Sequence, residues 1–143
     1  LSQMKNTEYE YKQLITVDTY NILMSNLDNI TNHRDIIQIN YYYDDESFSL
    51  FEKDETLRVR QKQDQLILER KYNIHYSVNG EKISEEHYDI VEKFPMKINI
   101  DNKDYYYIGN LITLRKDYII GDNIISLDTN YYLGKVDYAL EVE

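Results

Sequence analysis

The chain has no cysteine and no tryptophan, with one proline and four glycines among 143 residues. Without cysteine, disulfides, thiolate metal sites and thiol nucleophiles are excluded. With so little proline and glycine, no flexible linker or low-complexity tract divides the chain. Its length fits one domain, 1–143, with a sizeable core. No apolar run approaches the roughly 18 residues of a membrane span, and no signal-peptide pattern opens the sequence. A soluble, cytoplasmic protein with no membrane partner is the expectation. His33, His75 and His87 are scattered and show no zinc-ligand spacing. There is no Gly-rich phosphate loop, no dinucleotide fingerprint and no Ser or Thr in a known nucleophile motif.

Positive charge is also in deficit. Lys and Arg number 16 against 26 Asp and Glu, a net charge of −10. That argues against a nucleic-acid partner, which usually needs a basic surface. It does not exclude a small anion. A few bases in a narrow cavity hold phosphate locally, where low dielectric strengthens each contact. Aromatic content is lopsided: 16 Tyr, three Phe and no Trp. Tyr favours strands and tolerates either core or water, so strand filling explains most of it.

The pattern predicts a strand near residues 6–15 and one helix over about 17–29. Tyr20, Leu23, Met24, Leu27 and Ile30 recur at helical spacing as a core stripe, and Thr16 is the expected N-cap. The remainder reads mainly as strand: Ile36–Tyr43, a hairpin of Thr56–Lys62 and Gln65–Asn73, and Lys82–Val91. Phe94–Asn102, with the single proline, reads as a short helix or a loop. Strands near 105–118, 123–130 and 133–143 close the chain, with turns at Gly121-Asp122 and Gly134. Charges on one face of long strands and Ile, Leu, Val or Tyr on the other suggest an inside-out barrel. Its interior is polar and its apolar face packs outward against helices.

The charged residues carry the chemistry. Glu8-Tyr9-Glu10-Tyr11-Lys12 lies in the first strand and Glu141-Val142-Glu143 ends the last. Alternate side chains of a strand share a face. Glu8, Glu10 and Lys12 therefore project together, and so do Glu141 and Glu143. If the two strands are neighbours, these carboxylates converge and resist joint ionisation unless a cation joins them. Mg²⁺ or Mn²⁺ suits such an oxygen site, and Asp128, at the end of Ile124-Ile125-Ser126-Leu127, is a further ligand candidate. An isolated Glu-x-Glu is ordinarily an exposed strand face. Two of them at opposite ends, one followed by Lys at the same parity, point to function. On the basic side, Leu57-Arg58-Val59-Arg60 projects two guanidiniums together. Lys71 shares parity with Glu69, and Arg115 follows Ile112-Thr113-Leu114. Inward bases on several strands form a phosphate track. His87 is expected at the rim.

Taken in order, these residues resemble the CYTH superfamily, the triphosphate tunnel metalloenzymes, and within it the YjbK-like Gram-positive branch often labelled adenylate cyclase. Glu8, Glu10 and Lys12 match the opening Glu-x-Glu-x-Lys. Asn40-Tyr41-Tyr42-Tyr43-Asp44 and Leu57-Arg58-Val59-Arg60 resemble the "NxYFD … LRxR" section. Leu68-Glu69-Arg70-Lys71, Leu114-Arg115, Leu127-Asp128 and Tyr138–Glu143 are similar to the later strands.

The resemblance implies an eight-stranded antiparallel barrel forming a tunnel, with one N-terminal helix packed outside. It implies a triphosphate inside with one or two divalent ions, Mg²⁺ or Mn²⁺. Glu8, Glu10 and Lys12 are the implied catalytic residues. Lys12, Arg58, Arg60, Lys71 and Arg115 are the implied substrate-binding ones, and Glu10, Asp128, Glu141 and Glu143 the implied metal ligands. Hydrolysis of inorganic or nucleoside triphosphate is the expected activity. Cyclisation of ATP, as in class IV adenylate cyclases, and non-catalytic polyphosphate or nucleotide binding are the alternatives. Class IV cyclases carry His-Phe ahead of the opening motif, where this chain has Ser2 and Gln3, which favours hydrolysis. Family members also continue past the last Glu-x-Glu with a helix. This chain stops at Glu143, so a barrel lacking that piece is expected. Removing Arg58 or Arg60 is expected to weaken triphosphate binding and leave the fold intact. The sequence leaves the oligomeric state open.

Overall fold

Alternation of polar and apolar residues along the strands decides the architecture. A computed structural model describes residues 4–143, with side chains from residue 7. Ser2 and Gln3 lie outside the described residues. The elements are β1 (Met4–Ile15), α1 (Val17–Asp28), β2 (His33–Asp44), α2 (Ser49–Glu52), β3 (Thr56–Lys62), β4 (Gln65–Tyr76), β5 (Lys82–Val91), β6 (Lys97–Ile100), β7 (Lys103–Ile120), β8 (Asn123–Tyr132) and β9 (Lys135–Val142). The sheet order is β2-β3-β4-β5-β1-β9-β8-β7-β6, and β2 also pairs with β7. That pairing closes eight antiparallel strands into a barrel and leaves β6 as an extra strand on the first residues of β7. Among the described residues no helix is long and apolar enough to cross a membrane.

The barrel is inside-out, as expected. Gln38, Asn40, Arg58, Lys71, Thr113 and Asp128 are buried and polar, and they project inward. Ile36 and Ala139 share the inward parity of Gln38 and Glu141, but most of the buried apolar residues gather outside the barrel wall in two clusters. One joins Tyr20 and Leu27 of α1 to Tyr118 and Leu127 of the wall. The other joins Tyr43, Leu57, Val59, Leu50, Ile98 and Tyr105 beneath α2 and β6.

Helix α1 starts where the sequence indicates. Thr16 is extended (φ −77°, ψ 163°) and its Oγ1 accepts from Thr19 N at 3.2 Å, a cap worth about 1 kcal/mol. At the other end Tyr118 donates its hydroxyl to Asp28 Oδ1 at 2.8 Å. Four residues of the anticipated stripe face the barrel, but Ile30 does not. The helix ends at Asp28, and Ile30 is 66% exposed.

Two elements differ from expectation. Residues 97–100 form strand β6, where a short helix or loop was the reading. Its partner is set by the turn Asp101-Asn102, both left-handed (φ 52° and 65°), the geometry that reverses a two-residue hairpin. Short polar side chains tolerate that region, so the signal was present without glycine. The four-residue α2 was not anticipated either. It exists because the buried Asp44 carboxylate accepts from Leu50 N and Phe51 N, each at 3.1 Å.

The packing makes a direct prediction. Leu127 is fully buried between α1 and the barrel wall. Leu127→Ala should cost about 2–5 kcal/mol in urea denaturation. Ile30→Ala should stay within roughly 0.5 kcal/mol, because that side chain packs against little.

Candidate functional site

Strand register brings the inward charges into one cavity. Strand β1 lies between β5 and β9, so Glu8 faces Ser84, Glu10 faces Lys82 and Lys12 faces Glu141. Farther round, Lys71 lies opposite Glu86, Arg58 opposite Glu69, Asn40 opposite Arg60, and Arg115 opposite Asp128. The cavity is about 180 Å³. Lys12, Arg58, Arg60, Lys71, Lys82 and Arg115 line it as bases, Glu8, Glu10, Glu141 and Glu143 as acids, with Tyr42 and Thr56 between them.

The bases are not equivalent. Arg58 donates through Nε and Nη2 to Glu69 Oε2, at 2.9 and 2.7 Å. Arg115 grips Asp128 with both oxygens at 2.8 Å and also reaches Glu141 Oε2 at 2.8 Å. Lys71 Nζ donates to Glu8 Oε1 at 2.7 Å and lies 3.2 Å from Glu86 Oε1. Lys12, half exposed, lies 3.7 Å from Glu141. Arg60 differs from all of these. Its Nε donates to Asn40 Oδ1 at 2.8 Å, and among the described residues no carboxylate pairs with it. Burial and then the Arg58 charge push its guanidinium down to about 10, against the pull of the Glu69 carboxylate. A half-buried cation crowded by like charges is a ready receptor for an anion.

The acids divide in the same way. One oxygen from each of Glu8, Glu10 and Glu143 lies within 4.8 Å of the others. Three hard oxygen donors at that spacing fit a Mg²⁺- or Mn²⁺-type ion that keeps several waters. Burial and then the Glu141 charge push Glu10 up to about 7, and burial with Glu8 and Glu141 raises Glu143. Burial would raise Glu8 also, but the Lys71 ammonium and hydrogen bonds from its neighbours carry it down to about 2. Of the ligands expected from the sequence, Glu10 and Glu143 stand in this cluster and Glu8 completes it. Glu141 turns to Arg115 and Lys12. Asp128 also projects inward but does not line the cavity, both its oxygens being engaged by Arg115.

Sequence reasoning passed over Lys82, Tyr42, Asn40 and Glu86. Parity carried the signal for Glu86 and Lys82: Lys82, Ser84 and Glu86 share a face, opposite Glu10, Glu8 and the Lys71 position. His87 has the other parity. It sits on the outer wall against Tyr72 and Glu85 instead of at the rim.

The CYTH domain profile matches residues 6–143. The chain belongs to the CYTH domain family. Solved structures with the same barrel include a candidate adenylate cyclase from Bacillus halodurans, 26% identical, with TM-score 0.75 over 97% of this chain and 81% of that one. A second is HpAC1 from Hippeastrum, an adenylyl cyclase candidate described as having a dominant triphosphatase activity. It is 19% identical, with TM-score 0.73 over 94% and 78% of the two chains. A third is the Mimivirus capping enzyme triphosphatase, 12% identical, with TM-score 0.66 over 99% and 81%. A search of curated proteins found no match. The barrel described above is thus the CYTH fold, and its charged cavity lies inside it.

Proton affinities near neutrality make this CYTH site pH-responsive. Glu10 and Glu86 are both raised from 4.5 to about 7. A carboxyl raised on folding stabilises fully below its unfolded value, and that contribution is lost as pH rises through the folded value. The melting temperature of the metal-free protein should therefore fall by roughly 5 °C between pH 5 and 8. Glu10→Gln should flatten the slope, and added Mg²⁺ or Mn²⁺ should reverse it by binding the ionised cluster. Differential scanning fluorimetry measures all three. A slope unchanged in Glu10→Gln would contradict the assignment.

Proposed function

We propose that this chain, as a single domain, is a divalent-metal-dependent triphosphatase acting on inorganic triphosphate, with nucleoside triphosphate as the second candidate substrate. The observation that carries the reading is the cavity: six bases line it, and the half-buried Arg60 among them has no carboxylate in ion-pair contact among the described residues. A short polyanion supplies the charge that Arg60 lacks. The volume of about 180 Å³ suits a phosphate chain. The triphosphatase activity named for HpAC1 and for the Mimivirus protein supports the same reading.

Arg60 and Arg58 present their remaining N–H groups to phosphate oxygens, with Lys71 and Lys82 adding point charges. Asn40 and Glu69 fix the two guanidiniums in place, so little order is lost when substrate arrives. Glu8, Glu10 and Glu143 would hold the divalent ion, which supplies charge neutralisation and polarises the phosphoryl group when bound. A carboxylate of the cavity would take the proton of the attacking water.

Adenylate cyclisation is the second reading, favoured by the similarity to the Bacillus halodurans protein. The products separate them. Incubation with tripolyphosphate or ATP and Mg²⁺ or Mn²⁺ should release orthophosphate. Pyrophosphate with cyclic AMP would establish the cyclase, and binding without any product a non-catalytic module.

The two arginines should respond differently to removal. Arg60→Ala should weaken tripolyphosphate binding by about 1.5–3 kcal/mol in titration calorimetry and keep or raise the melting temperature. Arg58→Ala should weaken binding similarly but destabilise the fold, because Glu69 is left buried without its partner. The sequence alone treats the two alike; the Glu69 pair is what divides them. Equal melting temperatures for both variants would contradict the pairing.

A further inference from the structure

Glu8 stands between two partners in the cavity that compete for its charge. One of its oxygens stands in the cluster with Glu10 and Glu143. Its Oε1 also accepts from Lys71 Nζ at 2.7 Å. Among the described residues Lys71 is the one base paired with any member of that cluster. Arg58 and Arg115 are held by Glu69, Asp128 and Glu141, which stand outside it. The Lys71 side chain is only 8% exposed. Stripping it of Glu8 would leave a buried charge without compensation, which is strongly destabilising.

The fold supplies a substitute. Glu86 lies directly opposite Lys71 on β5, with Oε1 3.2 Å from Nζ, and it does not belong to the acid cluster. Glu8 reaches the same ammonium from β1, on the other side of β5. An ammonium has three N–H donors. One goes to Glu8, while Glu86 pairs with the ammonium as a charge at 3.2 Å, and Lys71 lines the cavity.

We propose that Lys71 is the resident counter-cation of the acid cluster: it holds Glu8 before a divalent ion binds, then passes to Glu86 and turns toward the phosphates when the ion takes Glu8. The proposal rests on the reading of Glu8, Glu10 and Glu143 as the metal site. It gives Glu86 a positioning role, since Glu86 acts only through Lys71. It also makes metal and triphosphate binding cooperative, because the ion releases the base that the anion needs.

The test is Mn²⁺ alone, titrated calorimetrically into the full chain at pH 8, across a cycle of Lys71→Met, Glu86→Gln and the double variant. Lys71→Met should bind Mn²⁺ at least about tenfold more tightly, and Glu86→Gln at least about tenfold more weakly. In the Lys71→Met background, Glu86→Gln should have no further effect. Two independent through-space charges would instead give additive free energies, and additivity overturns the proposal. If Lys71→Met fails to fold, Glu86→Gln is compared with Glu69→Gln, which removes a carboxylate of the same charge that serves Arg58. A loss confined to Glu86→Gln supports the exchange, and equal losses overturn it. Wild-type protein that binds no Mn²⁺ refutes the metal reading and this proposal together. Wild-type binding with an additive cycle refutes this proposal alone.

Discussion

Closure of the barrel is the constraint on which everything else rests. Once β2 pairs with β7, every strand has an inside and an outside, and each inward side chain must find its partner across a few ångströms of enclosed space. Here the inward residues are charged. The outer wall then carries the apolar packing, with α1 over β7–β9 and the α2–β6 segment over β2 and β3. Burying charge is costly unless it is paired and hydrogen-bonded. The interior meets that cost by setting acids on bases across adjacent or next-but-one strands: Glu69 on Arg58, Asp128 and Glu141 on Arg115, Glu8 and Glu86 on Lys71.

Function arises where that compensation stops short. Arg60 has an amide oxygen for a partner and two like charges for neighbours, while Glu10 and Glu143 have no base in contact among the described residues. The cavity thus keeps a cation short of negative charge and a cluster of acids short of positive charge, both lining about 180 Å³. On the proposed reading, a divalent ion and a polyanion would relieve both deficits together. Strand pairing holds the remaining side chains in position, so the groups that bind are oriented beforehand.

Much of this was legible because strands have a period of two. Parity grouped Glu8, Glu10 and Lys12, Arg58 and Arg60, and Glu141 and Glu143 on shared faces, the family resemblance turned them inward together with Lys71 and Arg115, and the structure brings all nine to one cavity. Parity does not give register, and register decides the pairing. Which strand sits opposite Asp128 determines that its oxygens meet Arg115, and which strand flanks β4 determines that Lys71 meets Glu8 and Glu86. β6 and α2 were hidden for a different reason. The Asp101-Asn102 turn works by tolerating left-handed backbone without glycine, and α2 is capped by the adjacent carboxylates of Asp44 and Asp45.

The most direct measurement is a crystal structure of the protein with tripolyphosphate and Mn²⁺, with the metal located by anomalous scattering. The account predicts phosphate oxygens on the free N–H groups of Arg60 and Arg58. It predicts the anomalous peak among Glu8, Glu10 and Glu143, with Lys71 on Glu86. A triphosphate bound outside the barrel, or a metal peak away from those three carboxylates, would contradict it.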